Sequence, residues 1–197
     1  LSIITPSFAV ASQQELYDHY CAVAAHVDTP IVLYNIPART GNKLLPETVC
    51  RLAKDVEVIK GAKDSSGDWE NLKAYIQLTK DLDFSVLSGN DSLILPALKE
   101  GGVGGIAGCS NVYPKVLSSI YELFQEGKLD EAQAAQDSIA SFRAVFKYGN
   151  PNTVVKTAVA MLGYNVGKCR APFNQLPQEG LEALEKVLQE NKDKGMC

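Results

Sequence analysis

At 197 residues the chain is long enough for one large domain or two small ones. Hydrophobic residues make up 46% and charged residues 21%, which excludes a disordered chain and supplies a substantial core. The formal net charge of -4, without a basic stripe, argues against nucleic-acid binding, and no apolar run approaches the roughly 18 residues of a membrane span.

Short apolar, β-branched runs alternate with longer helical patterns, the signature of parallel α/β structure. Residues 1–6 read as a strand, and 12–27 as a helix with Ser12 at the N-cap and Glu15 three residues on, a capping-box spacing. A second strand covers 31–36, and a helix over 46–53 opens with Pro46 in its first turn. The run 56–62 is a third strand leading into Lys63, with a helix following over 69–80. Residues 84–87 form a fourth strand, 93–100 a helix, and the glycine-rich segment 101–108 a fifth strand centred on 103–107. Beyond it the pattern is helical: 113–126, 129–146, 152–162 and 178–191, with a frayed tail from 192. Residues 1–112 are thus expected to hold strands with their βα units, and 113–197 a last barrel helix and a helical region.

Strands of this kind are expected to be buried on both faces. No strand is followed by GxGxxG, and GxxxxGK[ST] does not occur, so the phosphate-binding turns of nucleotide folds are missing. Instead, polar residues cluster just after the strands, as Tyr34-Asn35, Lys63-Asp64-Ser65 and Ser88-Gly89-Asn90. A (β/α)8 TIM barrel places its active site there. Five strands do not close such a barrel, and the chain opens inside an apolar run without an initiator methionine. Three βα units are therefore expected before Leu1, and a chain of these residues alone is expected to associate through two apolar sheet edges.

The cysteines Cys21, Cys50, Cys109, Cys169 and Cys197 contain no CxxC pair and read as reduced thiols of a cytoplasmic protein. His19 and His26 read as helix-surface residues, leaving little for a histidine metal site or a Ser-His-Asp triad. The strongest chemical candidate is Lys63. Alternation puts Ile59, Gly61 and Lys63 on one face, with Lys60 on the other, and Gly61 would leave room for a bound molecule. Desolvation in an apolar barrel mouth disfavours the ammonium form and frees the amine to attack a carbonyl; the alternative is a solvated lysine at a strand end. Tyr34, at the same height on its strand, could move protons or be a core tyrosine. Arg39 could hold a carboxylate through a bidentate fork or be an ordinary exposed arginine. The run Gly101-Gly-Val-Gly-Gly-Ile-Ala-Gly lets backbone approach a small ligand, or packs a strand tightly against a helix.

Four stretches, Tyr34-Asn-Ile-Pro-Ala-Arg-Thr-Gly41, Gly61-Ala-Lys-Asp-Ser-Ser-Gly67, Ser88-Gly-Asn-Asp91 and Gly101-Gly-Val-Gly-Gly-Ile106, together resemble the dihydrodipicolinate synthase/N-acetylneuraminate lyase family of pyruvate-dependent lyases. The likeness covers the whole chain and matches the C-terminal two thirds of that family. It implies a (β/α)8 barrel, here strands four to eight, followed by a C-terminal helical region, in a homotetramer. Lys63 would be the lysine that forms a covalent imine with pyruvate, with no metal or organic cofactor, and Tyr34 the proton-relay tyrosine. Ile106 resembles the residue whose carbonyl faces pyruvate. Arg39 matches the arginine that meets the carboxylate of aspartate semialdehyde, which favours the synthase branch of lysine biosynthesis.

Two features depart from that branch. Thr5-Pro-Ser-Phe8 stands where the synthase pattern has Thr-Pro-Tyr-Tyr, so Phe8 lacks the relay hydroxyl. The Gly-Thr-Thr-Gly-Glu loop that binds the pyruvate carboxylate in the family belongs to the N-terminal third expected before Leu1, and Cys169-Arg-Ala-Pro-Phe173 resembles several keto-acid aldolase relatives. An aldolase acting on 4-hydroxy-2-oxoglutarate, 2-keto-3-deoxygluconate or N-acetylneuraminate therefore stays open, as does a catalytically silent fragment.

Overall fold

Ser12 starts the first helix as its spacing requires: its hydroxyl accepts from the Glu15 N–H while the Glu15 carboxylate accepts from the Ser12 N–H. A computed structural model describes residues 1–196. The chain divides into two units, the first spanning Leu1–Ile106 and the second running from Ala107.

In the first unit, strands β1 (Ser2–Ile4), β2 (Ile31–Asn35), β3 (Ile59–Asp64), β4 (Ser85–Ser88) and β5 (Gly104–Gly105) form one parallel sheet in chain order. Between them run α1 (Gln13–Ala24), α2 (Pro37–Thr40), α3 (Pro46–Asp55), α4 (Trp69–Thr79) and α5 (Ile94–Lys99). The core lies between one sheet face and the helices: Leu16, Tyr20, Leu52, Leu72 and Tyr75 pack with Ile31, Leu33, Ile59, Ala62 and Val86. The face expected to pack on helices is buried as read from the apolar runs. On the opposite face, Val32, Tyr34, Lys63 and Leu87 are half-buried within this chain.

Two corrections concern β3. The strand starts three residues later than its apolar run, because α3 continues to Asp55 and Val56 closes that helix. It also runs two residues beyond that apolar run, so Lys63 and Asp64 lie within it. Moreover, Ile31 pairs with Ile59 but Val32 pairs with Gly61, so Lys60 is an extra residue in the ladder. This bulge re-phases the alternation: Ile59 shares the core face with Ala62, opposite to Gly61 and Lys63. Lys60 itself is paired with Asp83 at 2.8 Å on the surface. The glycine-rich strand is also shorter than expected, two residues instead of five, since glycines contribute no side chains to hold a longer ladder.

The second unit contains α6 (Pro114–Gln125), α7 (Leu129–Ser138), α8 (Ala140–Ala144), α9 (Pro151–Met161) and α10 (Gln178–Asp193). Its centre holds Tyr113 edge-on to Phe142 at 5.3 Å, with the Tyr113 hydroxyl accepting from the Asn191 amide at 2.9 Å. The expected helix over 129–146 breaks at Ile139, where the Ser138 hydroxyl donates to the Ala135 carbonyl and competes with the helical ladder. Lys192 and Asp193, expected to fray, belong to α10. No helix among the described residues is long and apolar enough to cross a membrane. Cys21, Cys50, Cys109 and Cys169 are free thiols; Cys197 lies outside the described residues.

Candidate active site

The parallel register lines up one row of residues across the half-buried sheet face. Ile4 pairs with Tyr34, Tyr34 with Lys63, Lys63 with Leu87, and Leu87 with Gly104. Neighbours in a row share a face, so the bulge at Lys60 delivers Lys63 beside Tyr34. The Lys63 Nζ stands 4.2 Å from the centroid of the Tyr34 ring. An amine over an aromatic face at this distance is in van der Waals and electrostatic contact with the ring, which favours this rotamer of Lys63. Lys63 has no ion-pair partner among the described residues, so the ring is its principal neighbour.

The next row faces the helices and is wholly different. It contains Asn35, Asp64 and Ser88, all buried. The Asp64 carboxylate, 2% exposed, accepts from the Asn35 amide at 2.8 Å, the Ser66 N–H at 3.0 Å, the Ser66 hydroxyl at 2.9 Å and the Asn71 amide at 3.2 Å. The Asn35 carbonyl oxygen in turn accepts from the Leu44 N–H. Two backbone bonds tie the strand ends together, Ser65 N–H to the Asn35 carbonyl at 2.8 Å and Gly89 N–H to the Asp64 carbonyl at 2.7 Å. Nearby, burial pushes the Tyr75 phenol far above its ordinary range, and the Asp64 charge adds to that shift.

Gly89 has no room for a side chain. A Cβ there would lie 1.9 Å from the Ser65 hydroxyl and 2.8 Å from Lys63 Cε. Both side chains therefore close on the same point, and the Ser65 hydroxyl is a buried side-chain oxygen without a hydrogen-bond partner among the described residues. Asn90, next to Gly89 in the chain, caps the helical turn at Asp91–Leu93 by accepting from the Ser92 N–H.

The remaining sequence candidates are placed unevenly. Gly61 does not leave space for a ligand: its missing side chain is replaced by the Ser85 carbonyl, 2.6 Å from an ideal Cβ, so its smallness lets β4 approach. Arg39 lies in the short helix α2 and not in an irregular loop; its side chain is exposed, with no ion pair among the described residues. Ile106 is just past β5, with its N–H on the Ser88 carbonyl at 2.8 Å and 47% of its surface exposed. Phe8 is 99% exposed at φ 81°, a left-handed conformation rare for a bulky residue. The buried Asn42 side chain holds that loop, donating to the Pro6 and Ala9 carbonyls and accepting from the Ala11 N–H, each at 2.8 Å. The sequence places Asn35, Asp64, Ser65 and Gly89 just after the strands, where a barrel site lies, and gives none of them an individual role.

A primary amine held beside a phenol at the C-terminal end of parallel strands is suited to attack a carbonyl. Residues 1–191 match the Dihydrodipicolinate synthetase family. The chain belongs to this family. It is 40% identical over 187 residues to the 4-hydroxy-tetrahydrodipicolinate synthase of Methanoculleus marisnigri, covering 94% of this chain and 63% of that protein. The structure of the 4-hydroxy-tetrahydrodipicolinate synthase from the methanotroph Methylacidiphilum fumariolicum SolV superimposes with a TM-score of 0.92 at 33% identity, covering 98% of this chain and 64% of that one. A prophage protein of the dihydrodipicolinic acid synthase family from E. coli K12, in complex with pyruvate, gives 0.89 at 26% identity, covering 100% of this chain and 66% of that one. The chain thus spans slightly less than two thirds of these members of the dihydrodipicolinate synthetase family.

Proposed function

We propose that Lys63 forms an imine with pyruvate and that the protein condenses it with aspartate semialdehyde, as a 4-hydroxy-tetrahydrodipicolinate synthase. The observation that carries this reading is the Lys63 Nζ over the Tyr34 ring, in one row of the sheet, in a chain of this family. The pyruvate complex of the E. coli relative supports pyruvate as the first substrate.

The Lys63 amine adds to the ketone carbon, and the carbinolamine loses its oxygen as water after protonation by Tyr34. Loss of a methyl proton from the iminium gives the enamine, whose carbon adds to the aldehyde while the aldehyde oxygen takes up a proton. The imine nitrogen is the electron sink, so no metal or organic cofactor is needed for these steps. Arg39, exposed near the end of β2, is read as the carboxylate-binding group for the aldehyde, and the Ile106 carbonyl as a wall of the pyruvate site. The unpartnered Ser65 hydroxyl is available to a substrate oxygen.

The five strands are read as strands four to eight of a (β/α)8 barrel, which the superposition on longer relatives supports. A cytoplasmic homotetramer fits the free cysteines and the exposed Phe8 and Val10 on a pinned loop. Phe8, with no hydroxyl, favours a second reading, cleavage of a hydroxy-keto or sugar acid to pyruvate. The test supplies pyruvate with aspartate semialdehyde in one arm and 4-hydroxy-2-oxoglutarate or 2-keto-3-deoxygluconate in the other. Pyruvate consumption with formation of the cyclic product supports the synthase. Pyruvate release in the second arm alone replaces it with the aldolase.

A further inference from the structure

We infer that Asp64 is a positioning residue for the reaction: its buried carboxylate clamps the strand ends that aim Lys63 and Tyr34 at each other. The inference rests on the reading of Lys63 as the imine-forming lysine.

Asp64 and Asn35 immediately follow Lys63 and Tyr34, and they pair with each other in the sheet. Along a strand, successive side chains leave the backbone in opposite directions, so fixing one residue fixes where its neighbour points. The Asn35 amide is held at both ends, its oxygen by the Leu44 N–H at 3.0 Å and its nitrogen by Asp64 at 2.8 Å. Asp64 then adds the Ser66 turn and Asn71 of α4. One carboxylate thereby joins β2, β3, the turn after β3 and a helix.

A mere packing residue has no reason to be charged here. Burying a carboxylate is costly, and all four donors around Asp64 are neutral, so no cation offsets that cost directly. What the carboxylate alone supplies is two oxygens that only accept. An asparagine in its place must turn an NH2 group toward one pair of donors, either Asn35 with the Ser66 N–H or the Ser66 hydroxyl with Asn71. The network thus requires a carboxylate, at the position best placed to hold the reacting pair.

The experiment uses the full chain with pyruvate and borohydride, following the rate of adduct formation on Lys63 against pyruvate concentration. In Asp64→Asn the saturating rate should fall about tenfold or more, because small misplacements of a reacting group are costly, while the half-saturating pyruvate concentration changes less than about threefold. Asn71→Ala, which removes only the 3.2 Å donor, should give a smaller fall. It serves where Asp64→Asn does not fold. Val49→Ala, a core truncation on α3, is the comparator for lost stability and should keep its adduct rate despite a lower melting temperature. Unchanged rates in Asp64→Asn and Asn71→Ala overturn the inference, as does an equal fall in Val49→Ala. No adduct in the unmodified chain sinks the imine reading instead. The clamp is then judged by competitive acylation of Lys63 against Lys60, where an unchanged ratio in Asp64→Asn overturns it and a changed ratio supports it.

Discussion

Two adjacent rows of the same sheet, one residue apart in β2, β3 and β4, follow opposite rules. In the row of Ile4, Tyr34, Lys63 and Leu87, Ile4 is exposed and the other three are half-buried, and the lysine has an aromatic ring as a neighbour but no ion-pair partner among the described residues. The row of Asn35, Asp64 and Ser88 is buried, and every member's side chain is hydrogen-bonded. Buried polar groups need partners, and a fully partnered network holds one geometry. A reactive group needs the reverse, capacity left for a substrate. The sheet supplies both by pleating alone, with rigidity on the helix side and open valence on the other.

The largest predicted effect comes from emptying the open row. Lys63→Ala should abolish adduct formation with pyruvate while the fold persists, checked by borohydride trapping beside a thermal melt. Tyr34→Phe keeps the ring beneath Lys63 but removes the phenol, and turnover should fall roughly 10²- to 10⁴-fold, the range for a lost general acid-base group. Steady-state kinetics measure it, and a loss below tenfold would remove Tyr34 from the proton path.

Smaller effects belong to the frame. Gly61→Ala puts a Cβ 2.6 Å from the Ser85 carbonyl, which the β3–β4 pair can relieve only by moving backbone. Overpacking of this kind costs about 1–3 kcal/mol, readable by urea denaturation. Asp68 caps α4 by accepting from the N–H groups of Glu70 and Asn71, and Asp68→Ala should cost about 1 kcal/mol. The bond from Lys43 at 3.0 Å, with the cap, holds the Asp68 carboxyl below its ordinary value. A depressed carboxyl contributes stability above its ordinary range and loses it as pH falls through the folded value. Melting temperature should therefore fall less on acidification in Asp68→Asn than in the unmodified chain; because the pair is exposed, the difference is small.

Much of this arrangement is readable from the chain. Runs such as Ile31–Asn35 are short, β-branched and apolar, so the strands and their order stand out, as do Lys63 and Tyr34 at their ends. The phase of β3 does not stand out. A single extra residue at Lys60 inverts which side chains face the core, and nothing local to Val56-Glu-Val-Ile-Lys-Gly marks it; only pairing with β2 does. For the same reason Gly61 reads as a gap for a ligand, whereas the Ser85 carbonyl from another strand fills it. Asp64 looks like one more polar residue after a strand until Asn35, Ser66 and Asn71 are brought around it from sequence distances of up to 29 residues.

The contrast between the two rows is tested most directly by peptide mapping after borohydride reduction of the full chain with pyruvate. Modification should fall on Lys63 alone, sparing Lys60, three residues earlier in β3 and held by Asp83. An adduct spread over several lysines, or the same labelling in Lys63→Ala, would contradict the assignment of Lys63 as the reacting amine.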